Sequence, residues 1–184
     1  MPRLILLNGP PAVGKTTLAR RYADDHAMAL VLELDSLRRL MGRWRDDVTG
    51  AGLAARSLSI TMAHRHLTEG HDVVLPQYLG RPQFVDEAEQ VARETGADFF
   101  EFVLTDDRDT LLKRFAARTA AATDPAHVEA GELVALLGGD AVLTGMYDRL
   151  LLLVNSRPHA RSLHSPEGSL ETVYAQLLDE LESA

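Results

Sequence analysis

A glycine-rich stretch near the start of the chain carries the clearest chemical signal. Gly9 begins the pattern G-x-x-x-x-G-K-[ST], which ends with Gly14, Lys15 and Thr16. The pattern is typical of a phosphate-binding loop, in which successive backbone N–H groups point at phosphate oxygens. Lys15 would add a positive charge at the β- and γ-phosphates, and Thr16 would offer its hydroxyl to Mg²⁺. The expected nucleotide-binding residues are Gly9, Pro10, Pro11, Ala12, Val13, Gly14, Lys15, Thr16 and Thr17.

The residues on both sides of this loop form the context that the motif needs. Leu4, Ile5, Leu6 and Leu7 form an apolar run that is typical of a buried strand, and a helical pattern begins at Thr17. A helix in that position directs its positive end at the bound anion. An incidental lysine in a strand–turn–helix is the alternative, and the context argues against it.

Asp35 is the second candidate for chemistry. It follows a predicted strand over Leu30–Leu34, and ligands bind at the carboxyl edge of an open parallel sheet. Phosphoryl transfer needs a carboxylate that accepts a proton from the attacking hydroxyl or holds Mg²⁺. Capping of a helix that starts at Ser36 is the structural alternative, and it is compatible with either role.

The next predicted strand, Asp72–Leu75, has no acidic residue at its end, which places the acidic role on Asp35. Gln77 and Tyr78 stand where that acid would be. They would orient the substrate or a metal-bound water, and plain loop packing is an equally weighted alternative.

Two arginines on one predicted helix suit a nucleotide. Arg114 and Arg118 are four residues apart, so they share a helix face. A guanidinium group clamps phosphate, stacks on an aromatic base and stabilises charge on a transferred phosphoryl group. The alternative is an exposed helix face paired with acids.

A second group of arginines closely follows Asp35. An acceptor pocket, with Trp44 as an apolar wall, and a solvated charged face explain this group about equally well. Arg81, after Gln77, is a weaker candidate of the same kind. The tentative substrate residues are Arg38, Arg43, Trp44, Gln77, Tyr78 and Arg81, with Arg39 and Arg45 in the same cluster.

Composition limits the classes of function. The chain has 184 residues, 46% of them hydrophobic and 25% charged, which suits one globular domain over residues 1–184. A net charge of −8 argues against a broad nucleic-acid-binding surface, and the lack of cysteine excludes disulfides and thiolate sites. There is no apolar run long enough to span a bilayer and no signal peptide before the first strand. We expect a cytoplasmic protein with a small-molecule substrate and no nucleic-acid or membrane partner; its oligomeric state is left open.

Apolar runs alternate with amphipathic stretches along the chain, which predicts an α/β fold with a parallel sheet. The predicted strands are Arg3–Asn8, Leu30–Leu34, Asp72–Leu75, Phe99–Leu104 and Ala160–His164. The predicted helices are Lys15–His26, Ser36–Met41, Leu53–Glu69, Gln83–Thr95, Asp109–Ala122, Val142–Asn155 and Gly168–Leu181. A polar connector over Gly42–Gly52 and an irregular stretch over Thr123–Asp140 complete the prediction.

With these motifs the chain resembles the small P-loop kinases, a group that includes adenylate, gluconate and shikimate kinases, chloramphenicol phosphotransferase and zeta-toxin-type kinases. The specific part of the resemblance is Gly9–Thr17. It implies a three-layer P-loop NTPase fold, with helices on both faces of a five-stranded parallel sheet in the order 2-3-1-4-5. It also implies a small lid over about residues 119–140, which closes to exclude water.

The resemblance implies roles for three of the candidates. Asp35 matches the position of the general base or of a carboxylate linked to Mg²⁺. Arg114 matches the residue that stacks on adenine, and Arg118 the one that contacts phosphate. The run Pro76–Tyr78 is not a nucleotide-kinase pattern, and no acceptor-binding motif is present.

The expected activity is transfer of the γ-phosphate of ATP, with Mg²⁺, to a hydroxyl of a small molecule such as an antibiotic, a sugar or a nucleoside. Lys15, Asp35 and Arg118 are the expected catalytic residues, and Thr16 and Asp35 the expected metal ligands. One alternative is an NTPase or nucleotide-dependent switch, and another is a toxin-like kinase of a nucleotide sugar. The sequence contains no N-K-x-D run that would read guanine.

Overall fold

A five-stranded parallel sheet forms the centre of the computed structural model, which describes residues 1–183. The strands are β1 (Arg3–Asn8), β2 (Leu30–Val31), β3 (Val73–Gln77), β4 (Asp98–Thr105) and β5 (Arg161–His164). Their order is β2-β3-β1-β4-β5, and every neighbouring pair is parallel. The predicted fold class and strand order are confirmed.

Helices cover both faces of this sheet. They are α1 (Lys15–Asp25), α2 (Leu34–Arg39), α3 (Val48–Thr68), α4 (Gln83–Thr95), α5 (Arg108–Ala121), α6 (Pro125–Leu137), α7 (Asp140–Asn155) and α8 (Leu170–Glu182). A 3-10 turn, Trp44–Asp47, precedes α3. In the part of the chain that the structure describes, none of these helices is both long and apolar enough to cross a membrane.

Strand β1 separates two apolar cores. Ile5 and Leu7 pack in one core with α1 and α8, whereas Leu4 and Leu6 pack in the other with α3 and α4. All four side chains are fully buried, because alternate residues of a strand point to opposite faces of the sheet. The central strand therefore holds the loop that follows it on a rigid base.

The second strand is shorter than predicted, and Pro76 explains why. The Leu32 N–H still donates to the carbonyl of Val74, so the next donor in the ladder would be the N–H of residue 76. Proline has no N–H, and pairing with β2 stops. Strand β3 continues past its predicted end at Leu75, because Pro76 lies within β3 and pairs with Leu7 of β1.

The early end of β2 changes the position of Asp35. Helix α2 begins at Leu34, so Asp35 lies in its first turn and not at the end of a strand. The N-cap position of α2 is occupied by Glu33, which makes no capping hydrogen bond with its side chain. The prediction that Asp35 follows the end of a strand is therefore wrong, and the structural alternative, in which Asp35 caps the next helix, is not observed.

Two helical regions extend beyond their prediction. The stretch predicted as irregular contains α6, whose N-cap Asp124 accepts a hydrogen bond from the N–H of Ala126 and whose first residue is Pro125. Helix α3 begins at Val48, where the side chain of Asp47 accepts from the N–H of Gly50 at 2.8 Å. In both cases a capping Asp marks the helix start, whereas glycines within the helix favour the interpretation as a loop.

Candidate active site

The loop between β1 and α1 folds around the side chain of Lys15. The Lys15 Nζ donates hydrogen bonds to the carbonyls of Gly9 and Pro10, both at 2.8 Å. A Cβ at Gly9 would lie 2.7 Å from the carbonyl oxygen of Leu104, so only glycine fits there. Gly14 has a φ of 102°, which also favours glycine, and it directly precedes α1.

Asn8 fixes the start of this loop to the neighbouring strand connection. Its side-chain carbonyl accepts hydrogen bonds from the N–H groups of Gly9 and Leu79, each at 2.8 Å. Its amide donates to the carbonyl of Leu79 at 3.1 Å. Asn8 is fully buried, so the amide is a structural brace for the loop. Sequence reasoning missed this residue because its partner is 71 positions away.

Ser165 fixes the other side of the loop. Its hydroxyl donates to the carbonyl of Val13 at 2.9 Å, and its own carbonyl accepts from Arg114 at 3.0 Å. Arg114 also pairs with the buried carboxylate of Asp106 at 3.0 Å. The guanidinium of Arg114 is therefore held in one orientation beside the loop. No local pattern marks Ser165, so sequence reasoning missed it as well.

A cleft of about 1070 Å³ opens above the loop and gathers most of the predicted site. It collects side chains from the loop, α1, α2, the end of β3, α5, α6 and α7. The predicted residues that line it are Pro11, Ala12, Gly14, Lys15, Thr16, Thr17, Asp35, Arg38, Gln77, Tyr78, Arg114 and Arg118. Three residues of the loop do not line this cleft, namely Gly9, Pro10 and Val13. The predicted substrate residues Arg43, Trp44 and Arg81 do not line it either.

Lys15 interacts electrostatically with both Arg118 and Asp35. Burial is the main cause that lowers the pKa of Lys15 from 10.5 to about 7, and nearby Arg118 lowers it as well. The Asp35 carboxylate opposes both effects. The three side chains come from the loop, α2 and α5, and the fold brings their charges into one interacting group.

Arg118 and His127 present buried nitrogen atoms that have no hydrogen-bond partner in the described part of the chain. The Nε of Arg118 and the Nδ1 of His127 are both of this kind, and both side chains line the cleft. Burial and nearby Arg118 lower the pKa of His127, and burial and Arg114 lower that of Arg118. A bound anion would favour the protonated form of both groups. Sequence reasoning assigned no role to His127.

Trp44 does not form the wall that the sequence suggested. It is buried, and the guanidinium groups of Arg38 and Arg45 each lie 4.7 Å from its ring centroid. The same two arginines bind the carboxylate of Glu129 on α6, at 3.3 and 3.2 Å. Trp44 thus supports the contact between the 3-10 turn and α6 from behind the cleft.

The remaining candidates are divided between the cleft and the surface. Asp35 pairs with Arg38 at 3.1 Å and keeps a largely exposed carboxylate in the cleft. Tyr78 donates its hydroxyl to the carbonyl of Met146 at 3.0 Å, which ties the end of β3 to α7. Arg43 is 89% exposed and pairs with Asp46, and Arg81 is also exposed.

The side chains present fit Mg²⁺ only together with a phosphate-bearing ligand. Within residues 1–183 there is no group of three or more His, Asp or Glu side chains that could hold a metal by itself. Thr16 and Asp35 do line the same cleft and offer oxygen atoms, which are the ligands that Mg²⁺ prefers. Phosphate oxygens would have to supply further ligands, as is usual for Mg²⁺ in phosphoryl-transfer sites.

Residues 4–138 match the family described as an AAA domain. Uncharacterized proteins of Mycobacterium tuberculosis and Mycobacterium bovis are 31% identical to this chain over 137 residues, which is 66% of the chain and 27% of those proteins. The chain therefore spans about a quarter of the length of the curated relatives that it matches.

Solved structures with the same fold include three proteins related to kinases or antibiotic resistance. A candidate kinase of Chloroflexus aurantiacus is 18% identical, with a TM-score of 0.67 over 99% of this chain and 97% of the other. A gluconokinase of Sinorhizobium meliloti is 15% identical (TM-score 0.62; 98% and 96% covered), and the tunicamycin resistance protein of Deinococcus radiodurans is 13% identical (0.65; 98% and 96%). At these identities the likeness shows a shared fold, the one that the resemblance to small P-loop kinases implied.

Proposed function

Because the chain belongs to the AAA domain family and has the fold of small P-loop kinases, we propose that it is an ATP-dependent phosphotransferase. It would move the γ-phosphate of ATP to a hydroxyl of a small molecule. The observation that carries the proposal is the convergence of Lys15, Thr16, Asp35 and Arg118 on one cleft, from the loop and three helices.

The loop supplies the site for the triphosphate. The Lys15 ammonium binds loop carbonyls in the structure, and phosphate oxygens would replace those carbonyls as its partners. Loop N–H groups and the N-terminus of α1 add positive potential at the same place. Arg114, oriented by Asp106 and Ser165, would lie against the base.

Asp35 and Arg118 supply the proposed chemistry. The oxygen of the acceptor hydroxyl forms a bond to the γ-phosphorus, the bond from that phosphorus to the β,γ-bridging oxygen breaks, and ADP leaves. Asp35 accepts the proton of the hydroxyl. Arg118 and Lys15 stabilise the negative charge on the transferred phosphoryl group. Thr16 and Asp35 would hold Mg²⁺, which when bound neutralises charge on the phosphates.

A screen of hydroxyl compounds with labelled ATP and Mg²⁺ tests the proposal. Sugars, sugar acids, nucleosides and antibiotics belong in the panel, since a gluconokinase and a tunicamycin resistance protein share the fold. A kinase should hydrolyse ATP slowly alone and release ADP much faster with the right acceptor. Fast turnover without an acceptor would favour an NTPase or nucleotide-dependent switch instead.

Asp35→Asn separates binding from transfer. The substitution keeps the size of the side chain and removes its basicity, so ATP binding should be largely retained and transfer abolished. Glu87→Gln, on the exposed side of α4, is the matched control because Glu87 lines no part of the cleft. Transfer at the wild-type rate in Asp35→Asn would remove Asp35 from the mechanism.

A further inference from the structure

Helix α6 directs an apolar stripe into the cleft. Ala130, Leu133, Val134 and Leu137 follow the i, i+3, i+4, i+7 spacing of one helix face, and all four line the cleft. Such a stripe normally packs on the core of the protein. In α6 the residue that is buried is the charged Glu129, and the apolar side chains stay partly or largely exposed.

Helix α7 extends this apolar surface toward the end of β3. Val142 and Met146 line the cleft, and both are partly exposed. The Tyr78 hydroxyl binds the backbone of Met146, so α7 is fixed close to the predicted acceptor side. The apolar wall, defined here as Ala130, Leu133, Val134, Leu137, Val142 and Met146, therefore shares the cleft with Gln77 and Tyr78 and is joined to Tyr78 at Met146.

The charges that share this side of the cleft are already balanced. Arg38 binds Asp35 and Glu129, and Arg20 binds Glu33 at 2.8 Å. Arg39 donates to the hydroxyl of Ser36 at 3.0 Å and is the third arginine opposite three carboxylates. Arg39 is in no ion pair within the described residues, but a phosphate or carboxylate that drew on Arg20 or Arg38 would have to break their ion pairs and leave a carboxylate unpaired.

Apart from Arg39, the cations of the cleft that form no ion pair within the described residues belong to the loop and to α5. Lys15, Lys113 and Arg118 all line the cleft, and none of them forms an ion pair with another residue between positions 1 and 183. The cleft thus has a cationic end that suits a triphosphate and a charge-balanced end with an apolar wall.

We infer that the acceptor of the proposed kinase is an uncharged hydroxyl compound whose apolar body packs against the apolar wall on α6 and α7. This inference depends on the proposed function for the identity of the site, and it narrows the acceptor class. Nucleoside monophosphates and sugar acids are excluded as preferred acceptors, because they would bring an anion to the charge-balanced end.

Binding of n-alkyl β-D-glucosides tests the inference without requiring turnover. Calorimetric titrations of methyl, butyl, hexyl and octyl glucosides, below their micelle-forming concentrations and with ADP and Mg²⁺ saturating, give affinity against chain length. We expect affinity to rise about twofold to fourfold for each CH₂ that becomes buried. Gluconate and adenosine monophosphate should bind at least tenfold more weakly than octyl glucoside.

Three leucines on α6 provide two test variants and one matched control. Leu137→Gln and Leu133→Gln should flatten the dependence on chain length, because both side chains belong to the apolar wall. Leu136→Gln should leave it unchanged, because Leu136 is 80% exposed and does not line the cleft. Circular dichroism and the ADP affinity check that each variant is folded.

The outcomes separate this inference from the proposed function. Affinity that does not change with alkyl length, no binding of octyl glucoside, or tighter binding of gluconate or adenosine monophosphate overturns the inference. Equal effects of Leu136→Gln and Leu137→Gln also overturn it. Failure of the wild-type protein to bind ADP and ATP contradicts the proposed function instead, whatever the glucosides do.

Discussion

The phosphate-binding loop and α6 line the same cleft but are held in place in different ways. Hydrogen bonds of Asn8 and Lys15, at the two ends of the loop, hold its backbone in place. Ser165, which follows β5, adds a third hydrogen bond from outside the loop. The four buried side-chain polar atoms that lack a hydrogen-bond partner within residues 1–183 lie instead on α6 or beside it. They are Arg38 Nε, Arg118 Nε, Thr119 Oγ1 and His127 Nδ1.

His127 lies on α6, and the other three residues that carry these atoms each interact with α6 or its N-cap. Arg38 binds Glu129, Thr119 packs against Gly131, and Arg118 interacts electrostatically with the N-cap Asp124 and with His127. An unsatisfied buried polar group costs about 1–3 kcal/mol. The loop is therefore preformed for its ligand, whereas the observed position of α6 leaves buried polar atoms without partners that a ligand would supply. A lid needs a segment that is held less firmly than the site it covers, and α6 differs from the loop in this way. The role of residues 119–140 as a lid stays a prediction.

The largest expected effect on activity comes from a substitution in the phosphate-binding loop. Lys15→Ala removes the ammonium group at the centre of the loop, so phosphoryl transfer should fall by on the order of 10²–10³-fold or more. Labelled-ATP transfer and a nucleotide titration measure the loss. Arg65→Ala, on an exposed face of α3 outside the cleft, is the control and should keep wild-type activity. Undiminished transfer by Lys15→Ala would remove the loop from the mechanism.

Stability against pH sharpens the description of the loop. The pKa of Lys15 is about 7 in the folded chain and 10.5 in the unfolded one, so between these pH values the unfolded state binds more protons. The free energy of unfolding should therefore rise with pH across this window, by at most about 1.4 kcal/mol per pH unit. Urea denaturation of the wild type and of Lys15→Met isolates this term, because other groups cancel in the difference. A difference that does not vary between pH 7 and 10 would show that Lys15 stays charged.

Gly131 tests how closely α6 packs on α5. A Cβ at Gly131 would run into the side chain of Thr119, so Gly131→Ala should destabilise the protein by about 1–3 kcal/mol. Gly52→Ala in α3 is the matched control, because a Cβ added at Gly52 would have no atom within 4 Å. Because alanine has a higher helix propensity than glycine, Gly52→Ala should stabilise the protein by about 0.5–1 kcal/mol. Urea denaturation measures the free energy of unfolding of both variants. Equal changes would mean that α6 makes room for the added Cβ at no cost in stability.

The smallest effect should come from loosening α6 alone. Glu129→Gln removes the carboxylate that Arg38 and Arg45 share, at a local cost of about 1–2 kcal/mol. Amide hydrogen exchange in α6 should then speed up about 5- to 30-fold, while ADP affinity changes little. Glu132→Gln, exposed on the same helix, serves as the control. Faster exchange throughout the sheet would show that α6 is part of the global folding unit.

Local sequence patterns were sufficient where the structure depends on local residues. The predicted bounds of β1 and α4 are those observed, and a helix is found as α8 where Gly168–Leu181 was predicted, with Val173, Tyr174, Leu177 and Leu181 buried. Where glycines fall within helices, as in α3 and α6, propensity favoured a loop and the capping aspartates were overlooked. The end of β2 was missed for a different reason. It depends on Pro76 of the neighbouring strand β3, which has no N–H to donate, and no pattern within β2 itself indicates this.

The sequence by itself determined the phosphate-binding loop, because its shape follows from glycines, a lysine and a threonine at fixed spacing between a strand and a helix. Tertiary structure alone decided that Asn8 and Ser165 brace this loop, that Trp44 and Arg43 stay out of the cleft, and that α6 turns an apolar stripe toward it. Ser165 meets Val13 across 152 positions of chain. Such contacts depend on how whole helices and strands pack, whereas the loop depends on the backbone angles of a few consecutive residues.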